Sequence, residues 1–475
     1  MRVVVRFIEL FKPFTKYFFE IAPPKKRVNF NEKLMWTALA LIVYFIMGQI
    51  PLYGLGKEGA ADPFGALRVI FASHRGTLVE LGIGPIVTAG LILQILSGSK
   101  MIDVDMTNPQ DRALFTSASK ILAVVMTFFE ALAYLIGGVY GKLGVETQFI
   151  ILIQLLAAGV VIIMLDELLQ KGWGFGSGIS LFIAAGVAQT IWWDSVAPLG
   201  PMKDGRFYGA LIAFGQALRG GARLTEAVYR SEGLPDMVAF ATTVIVFLVI
   251  IYLNGLRVEI PVSYARYRGF RGKYPIKLLY VSNIPVIFAA ALFGNIYFIS
   301  QILWSKYNQS GANFWLNLLG TFELKGNQYS PKGGLVYYVV SPHGLANVIS
   351  DPLRALMYTV LLVLACLFFA TTWVQVGGMD ARSVAKQLLD SGMQIEGFRR
   401  SYTPIQQLLS RYIPTVTVLG GVIVGLIAAS ADFLGAFGSG TGILLTVGIL
   451  EQYYQILARE RLSEMYPAIG ALLGK

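Results

Sequence analysis

Charged and apolar positions divide this chain into long alternating blocks. Nine stretches of 18 or more residues carry no Asp, Glu, Lys or Arg: 34–53, 81–99, 147–165, 172–193, 237–256, 278–305, 355–378, 412–431 and 433–450. A tenth, 121–140, is broken only by Glu130. A helix rises about 1.5 Å per residue, so about 20 apolar residues cross the roughly 30 Å hydrocarbon layer. Only helices and closed barrels satisfy their backbone there, and these blocks do not alternate residue by residue as barrel strands do. The pattern predicts an all-α polytopic membrane protein with ten transmembrane helices.

The intervening segments set the expected layout. Residues 306–351 include further uncharged runs, but Asn, Ser, Gly and Pro make them too polar to span, so this region is expected to be one long aqueous loop. The first 33 residues hold eight Lys and Arg interleaved with Val4, Phe7, Ile8, Phe11, Phe14, Phe18 and Phe19, the pattern of an amphipathic interfacial segment that Pro13 breaks or kinks. No small-residue cleavage pattern follows the first apolar window, so a cleaved signal peptide is not expected. With the N-terminus inside, ten spans return the C-terminus to the same side, and 26 of the 39 Lys and Arg lie on that side. The positive-inside bias therefore favours cytoplasmic termini. The expected organisation is a cytoplasmic segment 1–33, a first five-helix half 34–193, an outer loop 194–236, a second half 237–459 with cytoplasmic loops 257–277 and 377–411, and a tail 460–475.

Overall composition is 55% hydrophobic and 14% charged, far below the roughly 25% charge of ordinary globular domains. The one cysteine, Cys366, lies inside an apolar window and reads as packing. His74 and His343 read as loop residues with no sequence-local partner for zinc or nucleophile chemistry. No metal, cofactor or catalytic constellation is expected, and no GxxxxGK[ST] phosphate loop is present.

The two halves resemble each other weakly. Phe175-Gly176-Ser177-Gly178 at the fifth span corresponds to Phe437-Gly438-Ser439-Gly440 at the tenth, and Pro85-Ile86-Val87-Thr88-Ala89 in the second corresponds to Pro285-Val286-Ile287-Phe288-Ala289 in the seventh. Five spans per half give inverted repeats, an arrangement that puts a pathway at their interface. A secondary transporter of small solutes fits such a repeat. Only Glu130 stands well inside an apolar window, however, and the shortage of ionisable groups favours a passive conduit.

At several of these motifs the chain resembles the SecY family, the central subunit of the Sec translocon. The resembling residues are Gln49-Ile50-Pro51-Leu52-Tyr53-Gly54, Gly82-Ile83-Gly84-Pro85-Ile86-Val87-Thr88, Gly176-Ser177-Gly178-Ile179, Asn283-Ile284-Pro285 and Gly438-Ser439-Gly440-Thr441. The Ile-Pro-Leu-Tyr-Gly form is closer to the archaeal and eukaryotic branch. The resemblance implies a channel that passes secretory polypeptides and releases apolar segments sideways into lipid. It also implies an hourglass pore whose waist falls on Ile83, Val87, Ile179, Ile183, Ile287 and Leu445. A plug helix would lie at about 62–73, where Asp62 suits an N-cap, Pro63 suits the first turn, and Phe64, Leu67, Ile70 and Phe71 form an apolar stripe. A lateral gate between spans two and three and spans seven and eight would involve Thr88, Gln94, Asn295, Glu130 and Arg112.

Two inner loops are strongly basic. The first carries Arg266, Arg268, Arg271 and Lys273 among Tyr264, Tyr267, Phe270 and Tyr274, and the second carries Arg399 and Arg400. Positive-inside bias and anionic lipid account for such charge in general. The resemblance implies ribosome docking, where phosphate contacts and stacking suit Arg and Tyr. It further implies a SecE-type subunit, a small beta-type subunit, and residence in an archaeal plasma membrane rather than the endoplasmic reticulum.

Overall fold

The computed structural model describes residues 20–55, 71–99, 101–102, 108–137, 139–141, 143–221, 223–230, 233–264, 271–281, 284–308, 311–325, 328–395 and 402–465, and positions 13 and 68. The expected interfacial helix at 1–20 falls almost wholly outside these residues.

Five long helices form the first half: α1 (Phe30–Met47), α2 (Gly84–Gly98), α3 (Pro109–Ile136), α4 (Val145–Leu168), which continues through a π-helical turn Leu169–Trp173, and α5 (Gly178–Val196). A connector with α6 (Ala210–Arg219) and α7 (Leu224–Val228) leads to α8 (Met237–Gly255). Buried Arg230 knits this connector together, donating to Asp204 and to the carbonyls of Phe207, Tyr208 and Pro235. A hairpin, β1 (Arg257–Tyr264) and β2 (Arg271–Lys277), then precedes α9 (Ile284–Tyr307). Beyond α9 come α10 (Phe314–Leu319), the hairpin β3 (Thr321–Lys325) and β4 (Gln328–Gly333), α11 (Leu335–Val339) and α12 (Leu345–Ser350). The last section is α13 (Pro352–Val376), α14 (Ala381–Asp390), β5 (Met393–Ile395), α15 (Tyr402–Phe433) and α16 (Gly440–Met465).

Ten of these helices are the expected spans, and eight of them are long and apolar enough to qualify by length and composition alone. The other two depart for visible reasons. α2 has only 15 residues, about 22 Å of helix, because residues 81–83 enter the bundle as irregular buried backbone. α16 runs on past its apolar part into a charged end that packs beside α1, where Lys33 pairs with Glu460 at 2.9 Å and the Phe30 amide donates to Glu464. The expected aqueous loop at 306–351 is in fact built from three short helices and a hairpin. The two basic loops are joined into one antiparallel sheet of order β2-β1-β5, with Val262 opposite Ile395 and Tyr264 opposite Met393.

The inverted repeat is visible in its hydrogen bonds. On α1 the Thr37 hydroxyl accepts from the Phe175 amide at 3.0 Å, and on α8 the Thr243 hydroxyl accepts from the Phe437 amide at 2.9 Å. Asp166 on α4 accepts from the Ser177 hydroxyl and the Ile179 amide at the start of α5. Asp432 near the end of α15 accepts from the Gly440 amide, 2.6 Å away, at the start of α16. Each half thus caps its fifth helix with an Asp from its fourth, supplying the acceptor that a helix N-terminus lacks. The glycines are required by approach. A Cβ on Gly178 would lie 2.8 Å from the Asp166 Cα, and one on Gly440 would lie 2.2 Å from the Ala428 oxygen.

Candidate pore and gate

The six waist residues all start from helix ends that the repeat motifs position. Ile83 and Val87 sit at the entry to α2, Ile179 and Ile183 in the first turns of α5, Ile287 in the first turn of α9, and Leu445 in the second turn of α16. The structure brings them into one apolar cluster. Ile83, Val87, Ile183 and Leu445 are buried within it, and Ile179 and Ile287 pack against it. Residues from both halves therefore meet at the centre of the bundle. The six side chains are Ile, Val and Leu, which offer water no hydrogen-bond partner.

The plug positions Asp62, Pro63, Phe64, Leu67 and Ile70 lie outside the described residues, whereas Phe71 and its neighbours are seen. Ala72, 2% exposed, belongs to the same central cluster, and Phe71 packs against it. The Ile83 amide donates to the Phe71 carbonyl at 2.9 Å, tying this segment directly to a waist residue. Gly82 permits that contact: its φ is +55°, and a Cβ there would sit 2.1 Å from the Phe71 oxygen. Two further holds were not read from the sequence. The Tyr44 hydroxyl, from a ring stacked on Phe182 at 4.4 Å, donates to the Ala72 carbonyl. Arg68 pairs with buried Glu80 at 2.8 Å, and Glu80 also accepts from the Gly76 amide. Burial, and secondly the Arg68 charge, lowers the His74 pKa below its usual value, so this imidazole is neutral at pH 7.

Helices α2 and α3 meet α9 and α13 along a continuous seam. A Cβ on Gly137 would lie 3.0 Å from Ile302, and one on Gly98 would lie 2.1 Å from Thr372, so small residues set the closeness at both ends. Midway, Asn295 Nδ2 donates to Thr88 Oγ1 at 3.2 Å. Glu130 lines, with Thr88, Asn295, Glu80 and Phe71, a cavity of about 20 Å³, room for one water. Three of the five expected gate residues are thereby brought together. Gln94 is buried further along α2, with no hydrogen-bond partner for its amide among the described residues. Arg112 is not part of the cluster: it is exposed in the first turn of α3, 18 residues and about 27 Å of helix from Glu130.

The Thr88–Asn295 contact has a measurable consequence. Thr88→Val, Asn295→Leu and the double variant, unfolded in detergent, are expected to give a coupling energy of about 0.6–1.7 kcal/mol, the range for hydrogen bonds between membrane helices. Additive losses would mean the two side chains do not act together.

Of the docking residues, Arg266, Arg268, Arg399 and Arg400 lie outside the described residues. Arg271 opens β2, and Lys273 pairs across the hairpin with Glu259 at 2.5 Å.

A family model described as SecY matches residues 77–454, and one for the plug domain of Sec61p matches residues 42–76. Among solved structures, the chain is similar to a protein-conducting channel at 41% identity, covering 96% of this chain and 99% of the other, with a TM-score of 0.82. It is similar to Sec61 in a canine ribosome–channel complex from the endoplasmic reticulum at 41% identity, with the same coverage and a TM-score of 0.80. The yeast Ssh1 complex, idle on the 80S ribosome, matches at 27% identity over 95% of this chain and 94% of the other, with a TM-score of 0.77. The central apolar cluster, the tethered segment around Phe71 and the seam between inverted halves thus occur in a chain that belongs to the SecY family.

Proposed function

We infer that this chain is the pore-forming subunit of a protein-conducting channel, with its waist at Ile83, Val87, Ile179, Ile183, Ile287 and Leu445. The observation that carries the reading is the single apolar cluster to which both halves and the end of the plug segment contribute. Such a constriction excludes water and ions while offering no polar group to hold a passing chain. The seam at Thr88, Asn295 and Glu130 is the exit to lipid. Each Leu, Ile, Phe or Val at mid-membrane favours insertion by about 0.3–0.6 kcal/mol, and one Arg disfavours it by about 2.5–3.5. Apolar segments therefore leave sideways and polar chains pass through. The matched structures reported above are channels, which supports this reading over solute transport.

The ribosome is the proposed partner on the face that carries the β2-β1-β5 sheet. Arg266, Arg268, Arg271 and Lys273 on one loop, and Arg399 and Arg400 on the other, would meet RNA phosphate. Joining the loops in one sheet supports their acting as a single surface. A SecE-type subunit and a small beta-type subunit complete the assembly, in an archaeal plasma membrane with both termini cytoplasmic.

Photocrosslinking tests the waist. A photoreactive residue at Ile83, Ile179 or Leu445, facing a ribosome-stalled secretory chain in a membrane, is expected to form adducts with that chain. A lipid-facing control at Leu364, 56% exposed, is expected to form none. Absence of adducts at all three waist positions, with the ribosome demonstrably bound, would overturn the assignment.

A further inference from the structure

The segment between α9 and α13 shows apolar side chains to its surroundings in a fixed arrangement. On α10, Phe314, Trp315 and Leu318 are 70%, 75% and 59% exposed and share one side of the helix. They are held there by a closed polar network on the other side. Asn308, 1% exposed, donates to Asn317 at 2.7 Å and accepts from the Asn313 amide, Asn313 accepts from the Trp315 amide, and Asn317 donates to the Gly311 carbonyl. On α12, Leu345 and Ile349 are likewise exposed, Ile349 by 78%. Neither short helix contains a charged residue.

Both sets continue the outer surfaces of membrane-spanning helices. Beyond the non-helical Asp351 that ends α12, the adjoining α13 exposes Leu353, Leu356, Val360 and Leu364 at intervals of three and four residues. Those of α10 follow Ile299 and Tyr307, which are exposed on α9. Continuity with lipid-facing stripes identifies the occupant as lipid, and Trp and Phe beside a polar backbone network suit the bilayer interface. We propose that α10 and α12 lie in the lipid interface of the membrane face opposite the β2-β1-β5 sheet. Of the 306–351 region, α10 and α12 are then seated in the membrane interface and brace the ends of α9 and α13, while the β3-β4 hairpin between them stays in water. The inference does not depend on what the channel carries.

Spin labels placed singly at Trp315, Leu318 and Ile349 test it, in the full chain reconstituted in phosphatidylcholine vesicles. Lys332 on β4, with its side chain 69% exposed, serves as the aqueous reference and Leu364 as the lipid reference. The native Cys366 is fully buried, so the wild-type sequence serves as background. Collisions at 315, 318 and 349 are expected to favour oxygen over a water-soluble nickel chelate, as at Leu364. Nickel preference matching Lys332 would overturn the proposal, and so would low collision rates with both reagents, which would mean that protein covers these positions. Should a label prevent folding, brominated phosphatidylcholine supplies a second readout. It is expected to quench wild-type fluorescence more than that of Trp315→Phe, and equal quenching would overturn the assignment.

Discussion

Asp432→Ala is expected to lower the unfolding free energy by about 2–5 kcal/mol, the loss anticipated when two buried groups lose one shared acceptor. Asp432 is 3% exposed, and its two oxygens have separate tasks. One accepts from the Gly440 amide at 2.6 Å, and the other accepts from the Tyr358 hydroxyl at 3.1 Å. With Ala at 432 both donors stay buried. No water reaches them easily, because Gly440 lies too close to α15 for even a Cβ to fit. Asp432→Asn should retain most of the stability, because its carbonyl can still accept from Gly440 and its amide can donate to the tyrosine oxygen. Asp166→Ala should cost less, since Asp166 is only half-buried, as are its donors Ser177 and Ile179, and its third donor, Gln170 at 2.7 Å, is exposed. Thermal unfolding in detergent checks all three. Equal stability of Asp432→Ala and wild type would mean the cap contributes nothing to the fold.

These two aspartates also show where the sequence could be read and where it could not. The charge-free windows found the ten spans because lipid permits few charges along a helix. They did not find α2's true start, because Leu81, Gly82 and Ile83 are as apolar as a helix and only the contact with Phe71 makes them irregular. The same windows end at residue 165 in one half and at 431 in the other, so Asp166 and Asp432 are each the first residue beyond a window. That coincidence was a usable signal. By the windows alone Glu130 is the one ionisable group well inside a span, whereas Asp432 and Glu167 are also buried within helices. The six proposed waist residues were not separable from other aliphatics by pattern; their motifs singled them out, and the structure places them in one cluster. Thr88, Glu130 and Asn295 come together through packing between halves. Arg112 stands apart from this group because α3 begins at Pro109, well before the apolar window, and puts 18 residues of helix between Arg112 and Glu130. Within 306–351, uncharged Asn and Gly suggest an irregular loop, and the short helices there are held by bonds among Asn308, Asn313 and Asn317 that the sequence pattern does not reveal.

The largest functional effect is expected from making the waist polar while keeping its branched shape. Leu445 is completely buried within the cluster that joins both halves. Leu445→Asn has nearly the same shape, so it keeps the constriction filled but gives water hydrogen-bonding partners there. If the cluster closes the channel by excluding water, this variant should raise potassium release from loaded vesicles by about tenfold or more, equivalent to about 1.4 kcal/mol off the barrier. Leu445→Ala, smaller than Asn but apolar, should leak less than Leu445→Asn, although truncation of a buried side chain costs stability. The order of the two variants separates the mechanisms: a seal by size alone makes Ala the leakier, and a seal by dryness makes Asn the leakier. Leu364→Asn, on the lipid-facing side of α13, controls for general loosening of the bundle and should leave release at the wild-type rate. The polar substitution at Ile183, also buried in the cluster, should repeat the Leu445 result from the opposite half. Agreement between positions so far apart in sequence is what a ring requires. Leak at Leu445 with none at Ile183 would mean that one helix is loosened locally and that the two halves do not share a seal.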